Sequence, residues 1–190
     1  MSLCKARLPD EYVLAFPDDP AIDWDATAEK WGIPTEEDHF AVLQAAADEA
    51  AKNAGEEPEP LPKMSAEEAR VSVTRLRYAE SGAKATLGLV AREGQAITKF
   101  VFKPFTQKES IQVDRKLEEL RGENGKLTPA DIKEFSLFVF EMALVKVDDY
   151  SDTEGREYES VDDLTVSGAV TALGSRVYSL NTLSPLTRDF

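Results

Sequence analysis

The stretch Ala96-Ile97-Thr98-Lys99-Phe100-Val101-Phe102-Lys103-Pro104-Phe105-Thr106-Gln107-Lys108-Glu109 decides the fold class, because two periodicities meet inside it. Thr98, Phe100 and Phe102 alternate with Ile97, Lys99 and Val101, as in a pleated strand that sends successive side chains to opposite faces. Pro104 has no amide hydrogen to give to a ladder and ends the strand. Thr106 followed three residues later by Glu109 spells a capping box. Val113, Leu117 and Leu120 then recur at helical spacing, which predicts a helix over about 107–121.

Upstream, Val71–Glu80 and Ala85–Arg92 carry further β-branched, alternating residues, and Glu93-Gly94-Gln95 is a short glycine-containing loop. The expectation is a three-stranded antiparallel sheet from 71–80, 85–92 and 96–103, with the last pair a hairpin and Gly82 near the first turn. Ser65 with Glu68 is a second capping box, expected to open only a short turn. Downstream, Gly122–Gly125 breaks the helix. Thr128-Pro129-Ala130-Asp131 then supplies a cap, a proline suited to the first helical position and an acid for the first turn. That helix is predicted to run to about 147. Its apolar residues, from Ile132 and Phe135 to Val145 and Val147, cover more than one face, so it is expected to be central and buried. An acidic loop follows from Asp148 to Glu159. Ser160 with Asp163 opens a last helix with the seam Val166, Val170, Leu173, Val177 and Leu180. About three C-terminal helices on a small antiparallel sheet make the body α+β.

The first third differs in charge. Residues 1–70 hold 17 Asp and Glu against 6 Lys and Arg, residues 71–190 hold 19 against 16, and the chain as a whole carries a net charge of −14. Prolines at 9, 17, 20 and 34 prevent a long helix there and predict a partly extended arm. Its exposed aromatics would need a cover, from the body or from a partner. Thr35 is the expected N-cap of a helix over about 36–53. Gly55 and three prolines at 58, 60 and 62 form the expected linker. The predicted organisation is an acidic arm and linker over 1–63, a body over 64–180 and a tail over 181–190. Candidate partner contacts are Tyr12, Phe16, Trp24 and Trp31 on the arm, and Leu183, Leu186 and Phe190 on the tail.

Residues able to carry chemistry are sparse. Cys4 is the only cysteine, so no internal disulfide forms. His39 is the only histidine, expected on the surface of an early helix, and no nucleophile–base pairing has local support. Counting an EF-hand from Asp148 puts Tyr150 at the third place and Thr153 at the sixth, so a calcium loop is not expected. No phosphate-cradling glycine motif occurs, and no apolar run has the roughly 20 residues needed to span a bilayer. No catalytic residue, cofactor or metal is expected. The strong negative charge argues against direct contact with nucleic-acid phosphates. Arg75, Arg77, Lys84, Arg92, Lys99, Lys103 and Lys108 cluster near the expected sheet, where the acidic arm could rest.

The run Lys99–Glu109, a strand passing through a Lys-Pro-aromatic-Thr-x-x-Glu junction into a helix, resembles the small tail assembly chaperones and baseplate-hub proteins of tailed bacteriophages. The order that follows is similar too: an apolar helix ending in acid, Phe140 to Asp149, then a helix rich in small residues, Val161 to Leu180. About 95 residues take part, and residues 1–70 have no counterpart in it. The resemblance implies a non-enzymatic role in tail or virion assembly. Its partners would be other tail or virion proteins or further copies of the chain, with no membrane and no small-molecule substrate. The setting would be the host cytoplasm during assembly, and the virion. The competing reading, from pI near 4.5, is an acidic inhibitor that imitates DNA and fills the basic cleft of a nucleic-acid-binding or host-defence enzyme.

Overall fold

In a computed structural model, which describes residues 11–35, 38–55, 57–80, 88–121, 125–150, 159–161, 164 and 168–182, the elements run β1 (Tyr12–Leu14), α1 (Trp24–Lys30), α2 (His39–Ala54), α3 (Ala66–Glu80), β2 (Lys99–Phe102), α4 (Gln107–Arg121), α5 (Pro129–Ala143), β3 (Leu144–Asp148) and α6 (Ala169–Thr182). Among the described residues, six helices and one three-stranded antiparallel sheet make an α+β fold.

The class is the expected one, but two of the three strands come from elsewhere in the chain. β2 lies in the middle of the sheet. On one side it pairs with β1, Leu14 opposite Phe100 and Tyr12 opposite Phe102; on the other it pairs with β3, Phe100 opposite Val147. Segment 71–80 is not a strand: it belongs to α3. The Ser65–Glu68 box forms, Glu68 accepting from the Ser65 amide at 2.7 Å, and it starts a full helix that buries Ala69, Val73, Thr74 and Tyr78. Val71, Val73, Arg75 and Arg77 happen to alternate, and that accident hid the helical period. Of segment 85–92, residues 85–87 lie outside the described residues and Ala91 makes an isolated bridge to Ile22, so no hairpin joins it to β2.

α5 also stops earlier than expected. Thr128 and Asp131 close their capping box at its start, but the chain leaves the helix at Leu144 and becomes β3. Pairing with β2 competes successfully with helix propensity there. The pairing slips between Val101 and Phe102, a bulge that leaves Val145 exposed. The N-cap of α2 is Asp38, not Thr35, and Asp38 makes no side-chain cap hydrogen bond. Gly55, at φ 76, ends α2. The proline segment then folds back on it, Leu61 N–H donating to Gln44 Oε1 at 2.8 Å.

Among the described residues, two apolar cores form. The first gathers Tyr12, Leu14 and Phe16 with Phe100, Phe102, Val113 and the inner faces of α5 and α6. The second gathers Ala21, Ile22 and Trp24 with Tyr78, Leu89 and Ile97. The segment expected to be an arm therefore supplies residues to both. Asp19 ties it down further, accepting from Thr98 N–H at 2.8 Å, while Asp23 N–H donates to Val90 O at 2.9 Å. A cut at residue 63 would take β1 out of the sheet.

The junction after β2 forms as read. Glu109 accepts from Lys103 Nζ at 2.6 Å and from the Thr106 amide at 2.9 Å, and the Thr106 hydroxyl accepts from Glu109 N–H at 3.3 Å. Phe105 N–H donates to Asn181 Oδ1 at 2.7 Å, which fastens the junction to α6. Lys103 first, then the Thr106 amide, hold the Glu109 carboxyl down to about 2 from the usual 4.5. A carboxyl lowered on folding stabilises above its unfolded value and loses that contribution as pH falls through the folded one. Because Lys103 is well exposed, water screens the pair, and its worth is about 1 kcal/mol. Glu109→Gln should therefore lower stability at pH 7 by about 1 kcal/mol. Parent and variant should converge as pH falls from 4.5 toward 2 in urea titrations. A gap of constant size over that window would show that the ion pair is not its source.

Candidate functional site

Where β1 runs out, the chain passes between the C-terminal end of α3 and the side of α6, and small side chains there leave an open cleft of about 270 Å³. Leu14, Ala15 and Pro17 form its floor. Tyr78 and Ala79 stand on one side. On the other, Ala172, Ser175 and Ser179 repeat along α6 beside Leu173 and Arg176. Alanines and serines on facing elements cannot fill the gap between them, which is why the space exists.

Tyr78 fixes the geometry. Its hydroxyl accepts from Ala15 N–H at 2.9 Å and donates to Ala15 O at 3.0 Å, so one side chain satisfies both buried backbone groups just past the end of β1. Its ring meets Trp24 edge-on at 5.8 Å, and Arg75 lies 5.3 Å from the Trp24 ring centre. Tyr78→Phe keeps the ring and orphans the two Ala15 groups, at an expected cost of about 1–3 kcal/mol. Tyr78→Phe should also speed hydrogen exchange at the Ala15 amide. An unchanged exchange rate would place the stabilising contact elsewhere.

The polar rim is mostly engaged. Ser175 Oγ lies 3.1 Å from Ser136 Oγ on α5, and Ser179 Oγ donates to Ser175 O at 3.0 Å. Arg176 differs: among the described residues no carboxylate forms an ion pair with it. Burial pushes the proton affinity of its guanidinium down, and the nearby Tyr78 only partly offsets this. It is a cation half withdrawn from water at the mouth of an apolar space.

The residues singled out from sequence fall elsewhere. Tyr12 and Phe16 are buried in the first core and Trp24 in the second, with exposures of 2%, 7% and 5%. They are covered by the body and are not available to a partner. Trp31 is half-buried, its Nε1 donating to Gly88 O at 3.2 Å. Leu183, Leu186 and Phe190 lie outside the described residues, as do Cys4, Lys84 and most of the acidic loop after Tyr150. His39 is not on the surface. It is 5% exposed, and its Nε2 donates to Pro34 O at 2.6 Å, fastening the start of α2 to the preceding turn. The basic residues near the sheet are divided among different acids: Arg75 meets Asp18 at 3.3 Å, Lys99 meets Asp149 at 2.9 Å and Lys103 meets Glu109. Of these acids, Asp18 alone belongs to the first third.

Tyr78, Ala79 and Arg176 were missed from sequence. Arg176 did leave a trace, as a charge set between the seam residues Leu173 and Val177 and flanked by small residues. Among the described residues, no helix is long and apolar enough to cross a membrane, and no group of three or more His, Cys, Asp or Glu side chains is placed to hold a metal ion. Comparison of the chain with protein-family models, with curated proteins and with solved structures found no match.

Proposed function

We propose that this protein acts without chemistry of its own, by docking onto neighbouring proteins during the assembly of a bacteriophage tail or as a part of the virion. The observation that carries the docking role is the open apolar cleft with an uncompensated arginine at its mouth, a surface suited to another molecule's side chain. The tail assignment rests on the resemblance of Lys99–Glu109 and the helices after it. Support there is local: the strand stop and the capping box form in the expected order, whereas the apolar helix gives way to β3 at Leu144 and the last helix begins at Ala169, short of the spans the resemblance implies.

Because residues 12–24 enter both cores, the test uses the full chain and not a truncation at 63. Tagged protein is captured from cells assembling tailed particles, bound proteins are identified by mass, and purified particles are probed for the chain. Tail-tube, tape-measure or baseplate components are the expected partners. Recovery of nucleic-acid enzymes in their place, with the chain absent from both particles and assembly intermediates, would overturn the assignment in favour of DNA mimicry.

A further inference from the structure

We infer that the cleft between α3 and α6 receives one leucine- to phenylalanine-sized side chain from an extended segment of a partner protein, and that Arg176 binds an Asp or Glu carboxylate within a residue or two of it. The inference rests on the protein-contact reading above and specifies the chemistry of the contact. Four observations lead to it.

The first is size. Clefts that enclose a drug-sized molecule run from about 300 to 1,000 Å³. At about 270 Å³ this one falls just below that range and suits a single anchoring side chain. The second is polarity, since the floor offers Leu14, Ala15 and Pro17 and nothing charged. The third is the state of the polar groups around it. Tyr78 already occupies both backbone groups of Ala15, so a partner cannot add a strand at that residue, and Ser175 and Ser179 already have hydrogen-bond partners. Recognition there must run through side chains, with the guanidinium as the polar handle. The fourth is charge. In a chain with 36 acidic and 22 basic residues, no described carboxylate pairs with Arg176. An incoming carboxylate would supply a forked, charge-assisted pair to a cation that has already lost part of its hydration.

The test pans a random peptide library, displayed on yeast, against the full-length protein, then measures the best peptide by fluorescence anisotropy. The expected consensus is Leu or Phe beside Asp or Glu. Arg176→Gln should weaken binding about ten- to a hundredfold, as should replacing the peptide's acid by its amide. Ala172→Trp, which fills the cleft from an exposed position on α6, should abolish it. Thermal unfolding of Arg176→Gln should match or exceed the parent, because the change removes an uncompensated charge, so the binding loss will not reflect misfolding. The inference is overturned if no peptide is enriched, if the consensus lacks the apolar–acid pair, or if the peptides bind Arg176→Gln or Ala172→Trp as well as the parent.

A photo-crosslinking residue at Ala172 separates the other occupants. Cross-links within one chain to residues 183–190, or between two copies, would overturn the partner assignment in favour of the chain's own tail or of self-association. The two proposals also fail separately. The consensus without any virion component among captured proteins removes the tail assignment alone. Capture of tail components undiminished by Arg176→Gln removes this inference alone.

Discussion

Replacing Phe140 by alanine should cost about 3–5 kcal/mol, the usual range for emptying the site of a fully buried aromatic. Phe140 is 0% exposed and meets Phe100 edge-on at 5.9 Å and Phe102 at 5.3 Å, so its ring joins α5 to the middle strand. Both neighbours belong to the sheet and cannot collapse into the space without moving β2, which is held from both sides. Against a total stability of about 5–15 kcal/mol, such a loss would bring the protein close to unfolding at growth temperature. Urea denaturation of Phe140→Ala beside Ile111→Ala tests it. Ile111 is well exposed, so its variant should change stability by no more than about 0.5 kcal/mol. A Phe140→Ala loss below about 1.5 kcal/mol would mean the core relaxes around the missing ring.

Gly174→Ala is expected to destabilise although alanine is the better helix former. A Cβ at this position would run into the carbonyl oxygen of Ser136 and sit 2.8 Å from its carbonyl carbon and 3.0 Å from its Cα. These are backbone atoms, so no rotamer change can relieve the crowding, and α5 and α6 must move apart. Helix propensity favours alanine by about 1 kcal/mol, whereas overpacking of a core contact costs about 1–3 kcal/mol and sometimes more. Since the obstacle is main chain, the clash falls at the upper end of that range and decides the sign, with a net loss of about 1–2 kcal/mol. Separation of the helices would also break the contact between Ser136 Oγ and Ser175 Oγ. Ser175→Ala removes that contact alone and should cost no more than about 1 kcal/mol. A Gly174→Ala variant as stable as the parent in thermal unfolding would show that the two helices have room to part.

Much of the secondary structure could be read because it is written locally. Thr106 with Glu109 and Thr128 with Asp131 satisfy the first free amides of α4 and α5 within four residues of chain, so spacing alone located both starts. The end of α6 was legible in the same way, through the period of Leu173, Val177 and Leu180. The error at α3 was a failure to weigh two local signals against each other. Ala69 with Val73 and Thr74 with Tyr78 are buried pairs four residues apart behind a complete capping box, and the alternation of valines and arginines drew the reading toward a strand.

The cleft was much less legible. Its floor comes from residues 14–17, one wall from 78–79 and the other from 172–179, so no window of sequence contains it. The aromatics near the N-terminus misled for a related reason. Trp24 and Tyr12 looked like contacts awaiting a partner because the residues that cover them, from Tyr78 to Phe140, lie far along the chain.

By itself the sequence determined the α+β class, the existence of the strand at Lys99–Phe102, the starts of α4 and α5 and the buried residues Leu173, Val177 and Leu180 of α6, since each follows from hydrogen bonds and apolar spacing among near neighbours. Only the tertiary structure decided which segments flank β2, that α5 yields to β3 after Ala143, and that an acidic, proline-broken segment enters both cores. The reason is the reach of the interactions. A helix cap is satisfied within one turn, whereas a strand such as β1 or β3 gains its hydrogen bonds only from a partner that folding brings across the chain.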